Sequence, residues 1–396
     1  MTERSILVQL DPKIEGDRPD STRPAAVAVV EGGRLIDLII DPPQADWIPQ
    51  PGLIGTAKVA RLLGDGRGAF ADGPGVSLFL KDRGALRAGE TALIQVSGYA
   101  EPGKAIPAST HPLIKKRHII LTPSSPGVNL SRAIPKTHTA ELESLKPTVE
   151  AILDQRLRGA GAILRTDAPR VTHAQIVAEL EEAIENWLSI GARFAEWSEP
   201  RWLWGGEDAL SLIGLWSTDG TRPDIWFAGK GAEDGTVARN SEASLADLHG
   251  FHRIFDGPDL FDHFGIWEQI QGLGEVTLPS GGTVIVEATR AFVTVDVNTK
   301  ANFSGGAAMT VNVEACRELP RLLRLLGLGG QIIVDFAPLK KTHRKKIEET
   351  LRAAFRKCPV ETTLAGWTPL GNFELQRKRE RRPLELNLHF RNLTTF

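Results

Sequence analysis

The chain has 396 residues, 41% hydrophobic and 24% charged, enough for two or three cores in an ordinary soluble protein. Its net charge of −2 excludes a simple polycation that coats nucleic acid. No apolar stretch is long enough to span a membrane, and residues 1–6 lack the apolar core of a signal peptide, so a cytoplasmic location is expected.

Residues 25–40 read as a hairpin of two β-rich runs joined through Gly32-Gly33, and the Pro-rich residues 41–51 read as a linker. Short strands then follow at close spacing, at about 54–60, 68–70, 76–80 and 91–96, separated by Gly-rich turns. That spacing predicts a small antiparallel barrel, with an OB-fold the natural candidate. A second Pro-rich zone covers residues 102–126 and carries Lys115-Lys116-Arg117. Residues 137–200 are expected to be mostly helical. From His173 onward, Ile176, Val177, Leu180, Ile184 and Trp187 recur at helical spacing with acidic residues opposite. Residues 202–270 are mixed, and an α/β region occupies about 272–392.

Two carboxylates in that last region carry most of the chemical information. Asp296 follows the apolar run of Ala291-Phe-Val-Thr-Val-Asp-Val-Asn298, and Asp335 that of Gln331-Ile-Ile-Val-Asp-Phe336. A lone Asp at a strand end is ordinarily a turn residue bonded to its own backbone. Between these two, however, lie Asn302-Phe-Ser-Gly-Gly306, a predicted helix over about 310–326, and Gly327-Leu-Gly-Gly330. This is a strand–helix–strand crossover. Such a crossover makes adjacent parallel strands, so both carboxylates would emerge at one sheet edge, close enough to share a hard cation.

Charge is unevenly spread. Residues 340–391 hold fourteen Lys or Arg against six Glu, a balance of +8 that leaves −10 for the rest. The two dense clusters are Lys340-Lys341-Thr-His-Arg344-Lys345-Lys346 and Arg377-Lys-Arg-Glu-Arg-Arg382. Basic runs are commonly solvated faces, but these follow Asp335, where a polyphosphate substrate needs neutralising. The two cysteines, Cys316 and Cys358, provide neither a disulfide framework nor a four-Cys zinc site, and no structural zinc is expected.

The residues from Gly274 to Asn298, followed by Ser304-Gly-Gly306, Asn312-Val-Glu-Ala315, Leu328-Gly-Gly-Gln-Ile-Ile-Val-Asp-Phe336 and Phe373-Glu-Leu-Gln-Arg-Lys-Arg379, resemble the catalytic half of the ribonuclease E/G family. Weaker likeness runs upstream. Gly55-Thr-Ala-Lys-Val-Ala-Arg61 with Gly68-Ala-Phe70 resembles the family's OB-fold, and Ile119-Ile-Leu-Thr-Pro123, Ser131-Arg132 and Ile163-Leu-Arg-Thr166 resemble its 5′-phosphate sensor.

The resemblance implies an α+β/α/β multi-subdomain body. Its parts would be a ribonuclease H-like subdomain split between 1–52 and 205–271, an OB-fold barrel at 53–112, an inserted 5′-sensor at 113–204 and a DNase I-like catalytic subdomain at 272–396. It further implies a Mg²⁺-dependent endoribonuclease of single-stranded RNA, acting in rRNA maturation or mRNA decay. Asp296 and Asp335 match the Mg²⁺ ligands, and Asn298 completes the catalytic set. Phe70 and Phe79 match the OB-fold aromatics, Lys104 the basic RNA-contacting residue, and Arg165 with Thr166 the grip on a 5′-monophosphate. Arg377 and Arg379 are expected to contact RNA as part of the basic run near the proposed site.

Three places within the chain depart from the family's pattern: Arg290 stands in place of a family Glu, Pro369 in place of a sensor Arg, and the family's acidic residue shortly after the second Asp is replaced within Ala337-Pro338. The family's Cys-Pro-x-Cys zinc link has no counterpart, so a homodimer rather than a zinc-linked tetramer is the expectation. The alternative from a different class is an RNA-binding protein that retains the fold without cleaving.

Overall fold

Residues 4–10, 25–41, 48–64, 67–82, 84–101, 103–131, 134–196, 199–206, 209, 224–228, 252–257, 259–299 and 305–384 are described by the computed structural model. Asn302, Phe303, Ser304 and Arg132, singled out above, lie outside them, as does most of 205–251.

The first sheet begins with β1 (Arg4–Leu10), β2 (Ala25–Glu31) and β3 (Arg34–Ile40). The expected hairpin is β2–β3. Gly32 and Gly33 have φ of 55° and 83°, and two successive left-handed residues define the tight turn whose twist matches its strands.

Next come β4 (Ile54–Leu62), β5 (Ala69–Asp72), β6 (Ser77–Leu80), β7 (Thr91–Val96) and β8 (Ile106–Ser109). They close into a barrel in the order β4-β5-β6-β8-β7, with β7 pairing back onto β4. The barrel is not wholly antiparallel as expected: β7 pairs with β4, and β8 returns antiparallel to β7 into the place between it and β6, so β6 and β8 run parallel. Ala57, Val59, Ala69, Ala71, Leu78, Leu80 and Ile94 fill its interior.

A four-stranded sheet follows, from β9 (Ile114–Lys115), β10 (Ile119–Thr122), β11 (Gly127–Leu130) and, after helix α1 (Lys136–Arg156), β12 (Gly161–Leu164), in the order β11-β12-β10-β9. Helix α2 (His173–Glu196) covers it with Ile176, Leu180, Ala183 and Ile184, one apolar stripe of its 3.6-residue period. The chain then returns through β13 (Trp202–Trp204), which pairs with β4, and β14 (Asp224–Ala228) and β15 (His252–Ile254), which join β1 in the first sheet.

Short helices α3 (Leu260–His263) and α4 (Ile266–Gln271) lead into the last sheet. It contains β16 (Glu275–Thr277), β17 (Thr283–Ala288), β18 (Val293–Asn298), β19 (Gly330–Asp335), β20 (Thr362–Trp367) and β21 (Phe373–Arg377), ordered β16-β17-β18-β19-β21-β20. Helices α5 (Gly305–Leu325) and α6 (Arg344–Arg356) supply Val311, Ala315, Leu319, Leu322, Ile347, Leu351 and Phe355 to the core under one face, against Val295, Val297, Ile332, Val334, Phe373 and Leu375. The whole is a mixed α/β body of several subdomains, one of them a closed five-stranded barrel.

This last sheet is pinned to the first. Asp37 of β3 is 8% exposed and receives both nitrogens of Arg381, with Nη2 at 3.0 Å, while Arg324 Nε of α5 lies 3.3 Å away. Burial alone would raise the Asp37 pKa, but the two guanidinium groups outweigh it and hold the carboxyl below its usual range.

Candidate active site

The alternation of β18 decides where its polar groups go. Val293, Val295 and Val297 are buried toward the helices, so Asp296 and Asn298 stand exposed on the other face. In β19, Ile332 and Val334 are likewise buried and Asp335 is exposed. The two strands are parallel neighbours, and Asp296 is the register partner of Asp335. Neighbouring strands lie about 4.8 Å apart, so the two carboxyls rise side by side from the exposed face. Asn298 Nδ2 donates to Asp296 Oδ2 at 2.7 Å, fixing how that carboxylate turns.

The chain beyond Asp335 is held just as firmly. Asn312 of α5 is fully buried; its Nδ2 donates to the Ala337 carbonyl at 2.8 Å and its Oδ1 accepts from the Ala337 amide at 3.0 Å. Lys340, Lys341, Lys345 and Lys346 follow around the start of α6, with Lys341, Lys345 and Lys346 exposed and Lys340 exposed as well. This basic cluster therefore lies at the carboxylate end of the sheet.

Two carboxylates with open surroundings suit Mg²⁺, which takes oxygen ligands, keeps several waters and needs only one or two protein carboxylates. Among the described residues no group of three or more His, Cys, Asp or Glu side chains is gathered in a metal-binding cluster.

The second basic cluster is elsewhere. Gly330 pairs with Arg377 at the opposite end of β19, five residues from Asp335, or about 16 Å along the strand. Arg377 also shares the parity of Phe373 and Leu375 and is only 2% exposed. Its Nη1 donates to Thr362 Oγ1 at 2.9 Å, and both Nη atoms lie 3.5 Å from Cys358 Sγ. The expected RNA contact at Arg377 is thus corrected: this side chain is a buried structural cation. Burial raises the Cys358 thiol pKa, yet Arg377 and Arg324 more than compensate and leave it lowered. Cys316, by contrast, is fully buried in α5 and burial pushes its pKa up.

Arg379 remains partly exposed, its guanidinium seated over Gly330, where any Cβ would collide with it. It meets Glu101 at 2.9 Å, and Lys104 pairs with the same carboxylate. Lys104 and Arg379, assigned separately from the sequence, therefore share one anion and leave one excess positive charge between barrel and sheet. The hydrogen bond from Lys104 and the charge of Arg379 hold Glu101 below the usual carboxylate range.

On the barrel wall, Ala69, Ala71, Leu78 and Leu80 point inward, so Phe70 and Phe79 point outward. They are register partners with ring centroids 5.5 Å apart, and the Arg61 guanidinium lies 5.2 Å from the Phe70 ring centre. The row continues across β6 to Pro107 of β8. Both rings are half-buried and lie on one outer surface of the barrel, outside its core.

Arg165 and Thr166 sit just past β12. The Arg165 amide donates to the His118 carbonyl and its Nη1 to the Lys116 carbonyl, both at 2.8 Å. Thr166 is exposed, its hydroxyl 3.3 Å from that of Ser131. Next to them, burial raises the Asp167 pKa against the opposing charges of Arg170, His118, Arg117 and Arg165. Pro369 and Arg290, two of the departures, are both exposed in turns.

A profile of the ribonuclease E/G family matches residues 114–380, two thirds of the chain, which takes in both carboxylates, Asn298 and the Arg165–Thr166 pair. Ribonuclease G of Escherichia coli (strain K12) is 28% identical over 309 residues, covering 76% of this chain and 62% of that protein. Ribonuclease G of Salmonella typhimurium (strain SL1344) is 30% identical over 315 residues, with the same coverage. Ribonuclease E of Escherichia coli (strain K12) is 26% identical over 389 residues, 89% of this chain but 35% of that protein. The chain belongs to the ribonuclease E/G family, and it spans less than two thirds of the length of these relatives.

Proposed function

We propose that this chain is the catalytic body of a Mg²⁺-dependent endoribonuclease that cuts single-stranded RNA, in rRNA maturation or mRNA decay, and leaves a 5′-phosphate and a 3′-hydroxyl. The observation that carries the reading is the in-register pairing of Asp296 with Asp335 on the open face of the sheet.

In this reading Asp296 and Asp335 would hold the ion, and Asn298, donating to Asp296 Oδ2, sets how that carboxylate turns. The chemistry such an ion supplies when bound is neutralisation of a phosphoryl oxygen and a water acidic enough to attack phosphorus. The exposed lysines at the start of α6 draw the RNA backbone to the carboxylate end of the sheet. Phe70 and Phe79 stack unpaired bases, which every single strand presents. Arg165 and Thr166 grip a 5′-monophosphate through charge-assisted hydrogen bonds.

A short, 5′-monophosphorylated, A/U-rich RNA incubated with the protein should be cleaved in the presence of Mg²⁺ and stay intact in its absence. Cleavage that persists in EDTA would remove the metal from the reading.

Two predictions concern the binding surface. Replacing Phe70 and Phe79 by Ala should weaken single-strand binding by about 1–3 kcal/mol for each base that loses its platform. Equal affinity in the double variant would return both rings to a purely structural role. Neutralising Lys104 and Arg379 together should flatten the dependence of log affinity on log salt by about 0.7 for each phosphate deprived of its cation. Arg377→Gln should leave that slope where it is, because the side chain is enclosed.

A further inference from the structure

We infer that Glu179 and Glu182 are positioning residues for Arg165. The inference rests on the reading of Arg165 and Thr166 as the grip on a 5′-phosphate, and adds the part of the molecule that holds the grip in place.

Arg165 is oriented by two carbonyls, those of Lys116 and His118. Both belong to the turn between β9 and β10, which the Lys116 amide closes onto the Ile119 carbonyl at 2.9 Å. A turn of this kind has little rigidity of its own, so something must fix it. Helix α2 does. The Glu179 carboxylate accepts from the His118 amide at 2.8 Å and from the His118 ring Nδ1 at 2.6 Å, with His118 only 4% exposed. One turn further along, Glu182 pairs with Lys116 Nζ.

Glu179, Glu182 and Glu185 are spaced by three, so they line one side of the helix. Glu185 binds Arg156, at the end of α1, and touches neither carbonyl that holds Arg165. The first two rungs of this acidic ladder therefore clamp the turn that aims Arg165, and the third ties two helices together. A guanidinium that must meet a terminal phosphate gains from being held before the ligand arrives, since less freedom is then lost on binding.

The test compares the affinity of fluorescent decamers bearing a 5′-monophosphate or a 5′-hydroxyl, measured by anisotropy in EDTA, so that it does not depend on cleavage. Glu179→Ala should lower the ratio of the two affinities about three- to tenfold, the worth of one hydrogen bond to a charged group weakened but not removed. Glu182→Ala, at an exposed position that tolerates substitution, should lower it in the same direction by less, and decides the matter if Glu179→Ala does not fold. Arg165→Ala should bring the ratio to one, and adding Glu179→Ala to it should change nothing more. Glu185→Ala is the control and should keep the full ratio.

A ratio that falls in Arg165→Ala but not in Glu179→Ala or Glu182→Ala would overturn the positioning role and leave the grip standing. If Glu179→Ala lowers the ratio further in the Arg165→Ala background, its effect does not pass through Arg165 and the inference fails. A ratio that none of the variants moves overturns the inference together with the grip.

Discussion

Asp296→Asn and Asp335→Asn should each reduce RNA cleavage by several orders of magnitude while RNA binding survives. Asn matches Asp in shape and still offers one oxygen to Asn298 Nδ2, so the local hydrogen bond at Asp296 can persist. What changes is charge. A Mg²⁺ ion that these two carboxylates would hold loses one of its two anionic protein ligands and would bind more weakly, and the chemistry it would supply is lost with it. Phe70, Phe79, Lys104 and Arg379, proposed to contact RNA, lie on other elements and are untouched. The assay is single-turnover cleavage of a labelled RNA beside anisotropy on the same RNA. Ordinary cleavage by either variant would refute the metal assignment. A parent protein that binds RNA but cleaves none would support the reading of a fold retained for binding alone.

The second large effect should be on stability. Asp37→Asn leaves Arg324 and Arg381 facing each other with no anion between them, in a site where Asp37 is 8% exposed. Breaking a buried pair from one side destabilises by about 3–5 kcal/mol, because the remaining charges stay desolvated. A chemical-denaturation midpoint reads this directly, and an unchanged midpoint would mean that the cluster contributes nothing net. The effect should depend on pH with a definite sign. The folded-state pKa of Asp37 is lowered, so its contribution is complete above the unfolded value of about 3.9 and is lost as pH falls through the lower folded value. The gap between parent and variant should therefore be full at neutral pH and close only in acid, below the ordinary carboxylate range.

The same alternation rule reads two ways in this chain. In β18 and β19 it separates valines and isoleucines from Asp296, Asn298 and Asp335, so the exposure of the three polar groups is legible in the residue pattern alone. In β21 it places Arg377 with Phe373 and Leu375 on the covered face. That signal is present too, but the local density of basic residues points instead toward a contact surface. The thiol of Cys358, the hydroxyl of Thr362 and the Val360 carbonyl are what make burial of this cation tolerable, and none is adjacent to it in sequence.

By itself, the sequence determined the elements with strong local periodicity. These are the Gly32-Gly33 hairpin, the short strands of the barrel, the amphipathic α2 and the crossover from β18 through α5 to β19. Each is specified by neighbours a few residues apart, through turn chemistry or a period of 2 or 3.6. Only the tertiary structure decided which distant residues meet. It paired Asp296 with Asp335 in register and set Lys104 and Arg379 on one Glu101. It also brought Glu179 to His118 and closed Asp37 between Arg324 and Arg381. Those meetings follow from which apolar faces bury against which, a global choice that no local pattern encodes, and they determine where the charges of this chain can act.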